Sequence, residues 1–66
     1  MIVRVNSKEQ PLPERSTVKA LLEVLGLSGQ RVAVEVNLAL VTRSEWETHI
    51  LQEGDRVEVV TFVGGG

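Results

Sequence analysis

Residues 52–63 read Gln-Glu-Gly-Asp-Arg-Val-Glu-Val-Val-Thr-Phe-Val, and the chain runs straight on into Gly64-Gly65-Gly66. Glu53-Gly54-Asp55 has the chemistry of a tight turn, because glycine accepts a positive φ and aspartate bonds to nearby backbone. Residues 56–63 that follow are the most strand-like run in the protein. Period-two alternation puts Val57, Val59 and Thr61 on one face and Val60 and Phe62 on the other. A strand with apolar residues on both faces belongs inside a sheet, with one face covered and the other available.

Working outward, Ile2-Val3-Arg4-Val5 is a short β-branched run that predicts a strand, Asn6-Ser7 a turn, and residues 8–12 a returning strand. Pro11 and Pro13 confine that second strand to a sheet edge, where a missing N–H removes no ladder bond. Val18, Leu21, Leu22 and Leu25 recur at i, i+3, i+4 and i+7 and predict a helix capped by Ser16 or Thr17. Lys19 stands where a capping box would need Glu or Gln. Gly26 sits where a left-handed residue ends a helix, and Leu27 then folds back onto the last turn. Ser28-Gly29-Gln30 is a linker, and Val32, Val34 and Val36 form a third strand. Residues 38–42 predict a brief fourth strand after a turn near Asn37-Leu38. Residues 44–51 read as a turn of helix or an irregular loop.

The order is strand, strand, helix, strand, short strand, long strand. Right-handed crossover from the first hairpin makes the first and last strands parallel neighbours. The expected fold is therefore α+β: a β-grasp, with a mixed sheet of four to five strands and one main helix packed on one face. Residues 1–63 form that domain, and residues 64–66 form a flexible C-terminal glycine tail.

Composition narrows the function. The 66 residues allow one small core, and with no cysteine it rests on packing alone, without disulfides or thiolate metal sites. The formal net charge of −2 argues against a general attraction to nucleic acid. No run is long and apolar enough for a membrane span, so a cytoplasmic location is expected. One histidine, no cysteine and no phosphate-cradling loop leave no catalytic or metal-binding equipment, so no metal site, no resident cofactor and no enzyme activity are expected.

The chemistry then falls to the chain end. Gly64, Gly65 and Gly66 make a thin strip able to enter a narrow channel of another protein, and the strip ends in a carboxylate. A carboxylate anion resists nucleophiles until it is activated, most simply as a mixed anhydride with AMP made by a partner from ATP and magnesium. Val60, Phe62 and Val63 are expected at the partner interface, with Ala33 and Ile2 extending the patch, unless the loop 44–51 covers it. Trp46 reads as a half-buried packing anchor and His49 as a solvated surface residue. Glu45, Glu47, Glu53, Asp55 and Glu58 read as a solvated face that docks on basic groups.

These segments resemble a known family. The opening IVRVNS, the helix TVKALLEVLGL, the central VAVEVNLALVTRSEW, the run LQEGDRVEVVTFV and the terminal GGG are similar, over the whole chain, to the ThiS sulfur carriers of bacterial thiamine biosynthesis, which are ubiquitin-like proteins. The resemblance implies that an E1-like adenylating enzyme of the ThiF type activates Gly66 and that sulfur from a cysteine desulfurase persulfide converts it to a thiocarboxylate. Thiazole synthase of the ThiG type then takes the sulfur. It also implies that Gly65 must be small. Related carriers on the same fold serve molybdopterin synthesis or tRNA thiolation, and a β-grasp interaction module with an idle tail is the alternative from a different class.

Overall fold

A computed structural model of the protein describes residues 1–62. Five strands form one sheet in the order β2-β1-β5-β3-β4: β1 Ile2–Val5, β2 Lys8–Pro11, β3 Val32–Val36, β4 Ala39–Val41 and β5 Arg56–Thr61. A single helix among the described residues, α1 Val18–Val24, links the first hairpin to β3. β1 and β5 are parallel, with Arg4 beside Arg56, and every other pairing is antiparallel. The expected β-grasp is therefore the fold, and the proline-bearing β2 is an outermost strand as its sequence requires.

Two hairpin turns set the register. Asn6-Ser7 has φ 48 and 73, and Asn37-Leu38 has φ 51 and 72, so both are two-residue turns of the primed type that match strand twist. With register fixed, alternation buries Val3 and Val5 of β1, Val34 and Val36 of β3, and Val57 and Val59 of β5 on one face. Val18, Leu21 and Leu22 of α1 cover that face, and Leu51 closes the core at 2% exposure.

Thr17 caps α1: its Oγ1 accepts from the Ala20 N–H at 3.1 Å. The buried Ser16 instead donates to the Pro13 carbonyl at 2.7 Å. A helix start leaves its first N–H groups without intrahelical partners. The segment 44–51 supplies two of them, since the Val18 N–H donates to the His49 carbonyl and the Lys19 N–H to the Trp46 carbonyl, both at 3.0 Å. That irregular stretch, entered by a 3-10 turn at Arg43–Glu45, thus continues the cap from elsewhere in the chain. At the other end, Gly26 takes φ 73; its N–H reaches the Glu23 carbonyl at 3.1 Å and the Leu27 N–H reaches the Leu22 carbonyl at 2.8 Å. This is the paired-bond stop that only a left-handed residue after the helix permits.

Candidate functional site

β5 leads to the chain end, and it is held on both sides. Parallel pairing with β1 covers only its first residues, after which the Asn6 side chain takes over: the Val59 N–H donates to Asn6 Oδ1 at 2.8 Å, and Asn6 Nδ2 donates to the Val59 carbonyl at 3.0 Å. On the other side β3 pairs from Val57 to Thr61. The Phe62 N–H then donates to the Arg31 carbonyl at 2.9 Å, so backbone bonding fixes the strand as far as Phe62. Val63, Gly64, Gly65 and Gly66, which carry the sequence-based site, lie outside the described residues.

The face of β5 opposite the helix is open. Val60 is 56% exposed and Phe62 57%. Ala33 sits beside Val60 in the register, and exposed Leu40 of β4 continues this face beyond Glu35. The loop 44–51 borders this face through Trp46, which lines one depression with Ala33, Leu40 and Phe62, but it leaves Val60 and Phe62 more than half exposed; Leu51 is buried in the core and Ile50 bridges to Thr17 at the helix start.

One expectation fails here for a geometric reason. Ile2 does not extend the patch, because the parallel register sets it level with Gly54, six residues before Val60 (54 to 60). That is a separation of roughly 20 Å at strand rise. Thr61 shares the helix side with Val57 and Val59, as expected, and is exposed there.

Glu45, Glu47, Glu53 and Glu58 are exposed and Asp55 is half-buried, and four of these five acids also bond within the fold. Glu53 Oε1 accepts from the Ile2 N–H at 3.0 Å, and Asp55 Oδ2 from the Gln52 N–H at 2.8 Å. Glu47 pairs with Lys19 at 3.5 Å. Glu45 Oε1 accepts from the Thr42 N–H at 2.9 Å and the Thr42 hydroxyl at 2.7 Å, and these bonds hold its carboxyl below the usual carboxylate range. Glu58 alone of the five makes no such bond among the described residues. Trp46 is a half-buried anchor as expected, its Nε1 donating to the Val41 carbonyl at 3.1 Å. His49 is half-buried and not the solvated residue its polar surroundings suggest, because its backbone caps α1.

Sequence reasoning missed the side chains of Asn6 and Asn37, both of which bond to β5. Asn37 Oδ1 accepts from the Arg56 N–H at 3.0 Å. The available signal was asparagine at the first position of two turns, read only as a turn former. Leu40 was also missed, its strand being too short to show alternation.

A five-stranded mixed sheet crossed by one helix, with its central strand running toward the last residues, defines a ubiquitin-like protein of the β-grasp class. The ThiS family pattern matches residues 2–66. The chain is 30% identical to the sulfur carrier protein ThiS of Escherichia coli over 66 residues, all of both chains. It superposes on the crystal structure of the thiamine biosynthesis protein ThiS from Geobacter metallireducens with a TM-score of 0.83, at 32% identity and over the whole of both chains. It is also 40% identical over 62 residues to a thiazole synthase of Paramagnetospirillum magneticum, covering 94% of this chain but 19% of that one. The chain therefore spans about a fifth of the length of that relative. The chain belongs to the ThiS family, the small sulfur carriers of thiamine biosynthesis, which are carrier proteins and not catalysts.

Proposed function

We propose that this chain carries sulfur as a thiocarboxylate on Gly66 and delivers it to a thiazole synthase of the ThiG type. The supporting observation is that the family match runs through the last glycine, residues 2–66, on a fold whose central strand is secured up to Phe62. An E1-like adenylating enzyme of the ThiF type would bind ATP and magnesium and join the Gly66 carboxylate to AMP, releasing pyrophosphate. Sulfur then attacks the acyl carbon and AMP leaves with the bonding pair. Where the donor is a protein persulfide charged by a cysteine desulfurase, the first product is an acyl disulfide, and a thiol must reduce its S–S bond to free the thiocarboxylate.

The chain's own part is to present the reacting end. Gly64 and Gly65 carry no side chains and suit a narrow channel, while Val60, Phe62 and Val63 furnish the apolar contact at its root. The absence of cysteine fits this division of labour, since sulfur rides on the acyl group and the partners supply the thiols. ATP-dependent pyrophosphate release by a ThiF-type enzyme tests the first step. It should require the intact chain and vanish when Gly66 is deleted; release that persists without Gly66 would refute the assignment. Thiocarboxylate formed by a carrier that thiazole synthase cannot use would instead favour a molybdopterin or tRNA thiolation pathway.

A further inference from the structure

A side-chain amide takes the place of a strand along the last part of β5. The register of β1 with β5 ends at Val5 beside Val57. The Arg4 N–H donates to the Asp55 carbonyl and the Asn6 N–H to the Val57 carbonyl, both at 2.9 Å, so alternate residues of β5 turn their backbone groups toward β1. Val59 is the next in that series. By then the chain has reversed through Asn6-Ser7 into β2, and β1 has no backbone left to offer. A side-chain amide carries the same donor and acceptor as a peptide unit, and that of Asn6 meets both groups of Val59, at 2.8 and 3.0 Å.

Among the described residues nothing continues this support. Thr61, the next residue to turn the same way, is exposed and lines an open depression with Asn6, Lys8, Gln10 and Leu27. On the opposite side β3 pairs as far as Thr61, and the Phe62 N–H reaches the Arg31 carbonyl at 2.9 Å. From Val59 to Phe62 the strand is therefore held by β3 on one side and by Asn6 alone on the other. A strand end with so few lateral bonds opens locally at low cost.

We infer that Asn6 is a positioning residue for the chemistry at Gly66: its amide splints β5 at Val59 and fixes the root from which the last residues start. Gly66 lies seven residues beyond that splint (59 to 66). How often its carboxylate meets a bound nucleotide depends on how firmly the root is held, and a misplacement of about 1 Å at a reacting group can cost about a hundredfold in rate. The inference rests on the carrier reading above. It places the effect in the bound carrier, after docking.

The test compares Asn6→Gly, which accepts the positive φ, and Asn6→Ala with Val18→Ala, which weakens the core at a fully buried helix residue. Native-state hydrogen exchange is the first readout. In both Asn6 variants the Phe62 N–H, whose bond to Arg31 involves no atom of Asn6, should exchange at least about tenfold faster relative to the Val34 N–H of the β3–β4 hairpin. Val18→Ala should keep the wild-type ratio. The second readout is pyrophosphate release by a ThiF-type enzyme, at a temperature where circular dichroism shows every variant folded. Both Asn6 variants should lose about tenfold in kcat with KM within about threefold of wild type, while Val18→Ala changes neither. An unchanged exchange ratio, or a kcat equal to that of Val18→Ala, would overturn the inference and leave the carrier reading standing. A raised KM at unchanged kcat would overturn it too, since Asn6 would then act in docking. A wild-type chain that a competent enzyme does not adenylate would overturn both.

Discussion

Replacing Asn6 removes the amide that continues the ladder beside β5, and the structure gives the size of the effect. Two bonds are lost, at 2.8 and 3.0 Å, and both link Asn6 to the backbone of Val59. Each contributes about 0.5–1.5 kcal/mol, so Asn6→Gly and Asn6→Ala should each lose about 1–3 kcal/mol. Alanine keeps a Cβ in the left-handed region without asparagine's local bonding, while glycine adds unfolded-chain entropy, which keeps the two variants within about 1 kcal/mol of each other. A domain of this size has roughly 3–10 kcal/mol of total stability, so the loss is a large fraction of it. The melting temperature should fall by roughly 4–20 °C. Urea unfolding followed by fluorescence of Trp46, the sole tryptophan, measures it. Wild-type midpoints in both variants would refute the reasoning, showing that water replaces the amide at Val59 without loss.

Leu51→Ala empties a site that is 2% exposed and should cost about 2–5 kcal/mol, leaving a barely folded domain by near-UV circular dichroism. Phe62→Ala, at a residue 57% exposed, should leave the urea midpoint nearly unchanged while slowing adenylation; normal adenylation would count against the open face as the contact. Glu45 has a folded pKa below its unfolded value, so its bonds to Thr42 stabilise the fold fully above the ordinary carboxylate range. That contribution is lost as pH falls through the depressed folded value. Carboxyl-carbon NMR should show Glu45 titrating below the exposed glutamates, and Glu45→Gln should flatten the acid limb of stability.

The β-grasp was legible because its elements carry strong local signals. Val57 and Val59 alternate with charged or exposed neighbours, α1 has a full apolar stripe ended by Gly26, and two prolines mark the edge strand. Ile2 was misplaced because which faces strands share follows from alternation, whereas how far one slides along another follows from register. The parallel pairing of β1 with β5 is set by a distant crossover and leaves no local trace. The bonds the acids make were not legible for a related reason: Glu53 is exposed as its charge suggests, but only the folded turn brings the Ile2 and Gln52 N–H groups to Glu53 and Asp55. The capping of α1 by the carbonyls of Trp46 and His49 joins segments far apart in sequence, which no periodicity reports. The proposal at the glycine end rests on the sequence and the family match, since Gly64, Gly65 and Gly66 lie outside the described residues.

The most direct measurement is the intact mass of the protein after incubation with a ThiF-type enzyme, ATP and a sulfur source. The account predicts the exchange of one oxygen for one sulfur, localised to Gly66 and absent when Gly66 is deleted. An unchanged mass from a folded chain and a competent enzyme, with no AMP adduct, would contradict it.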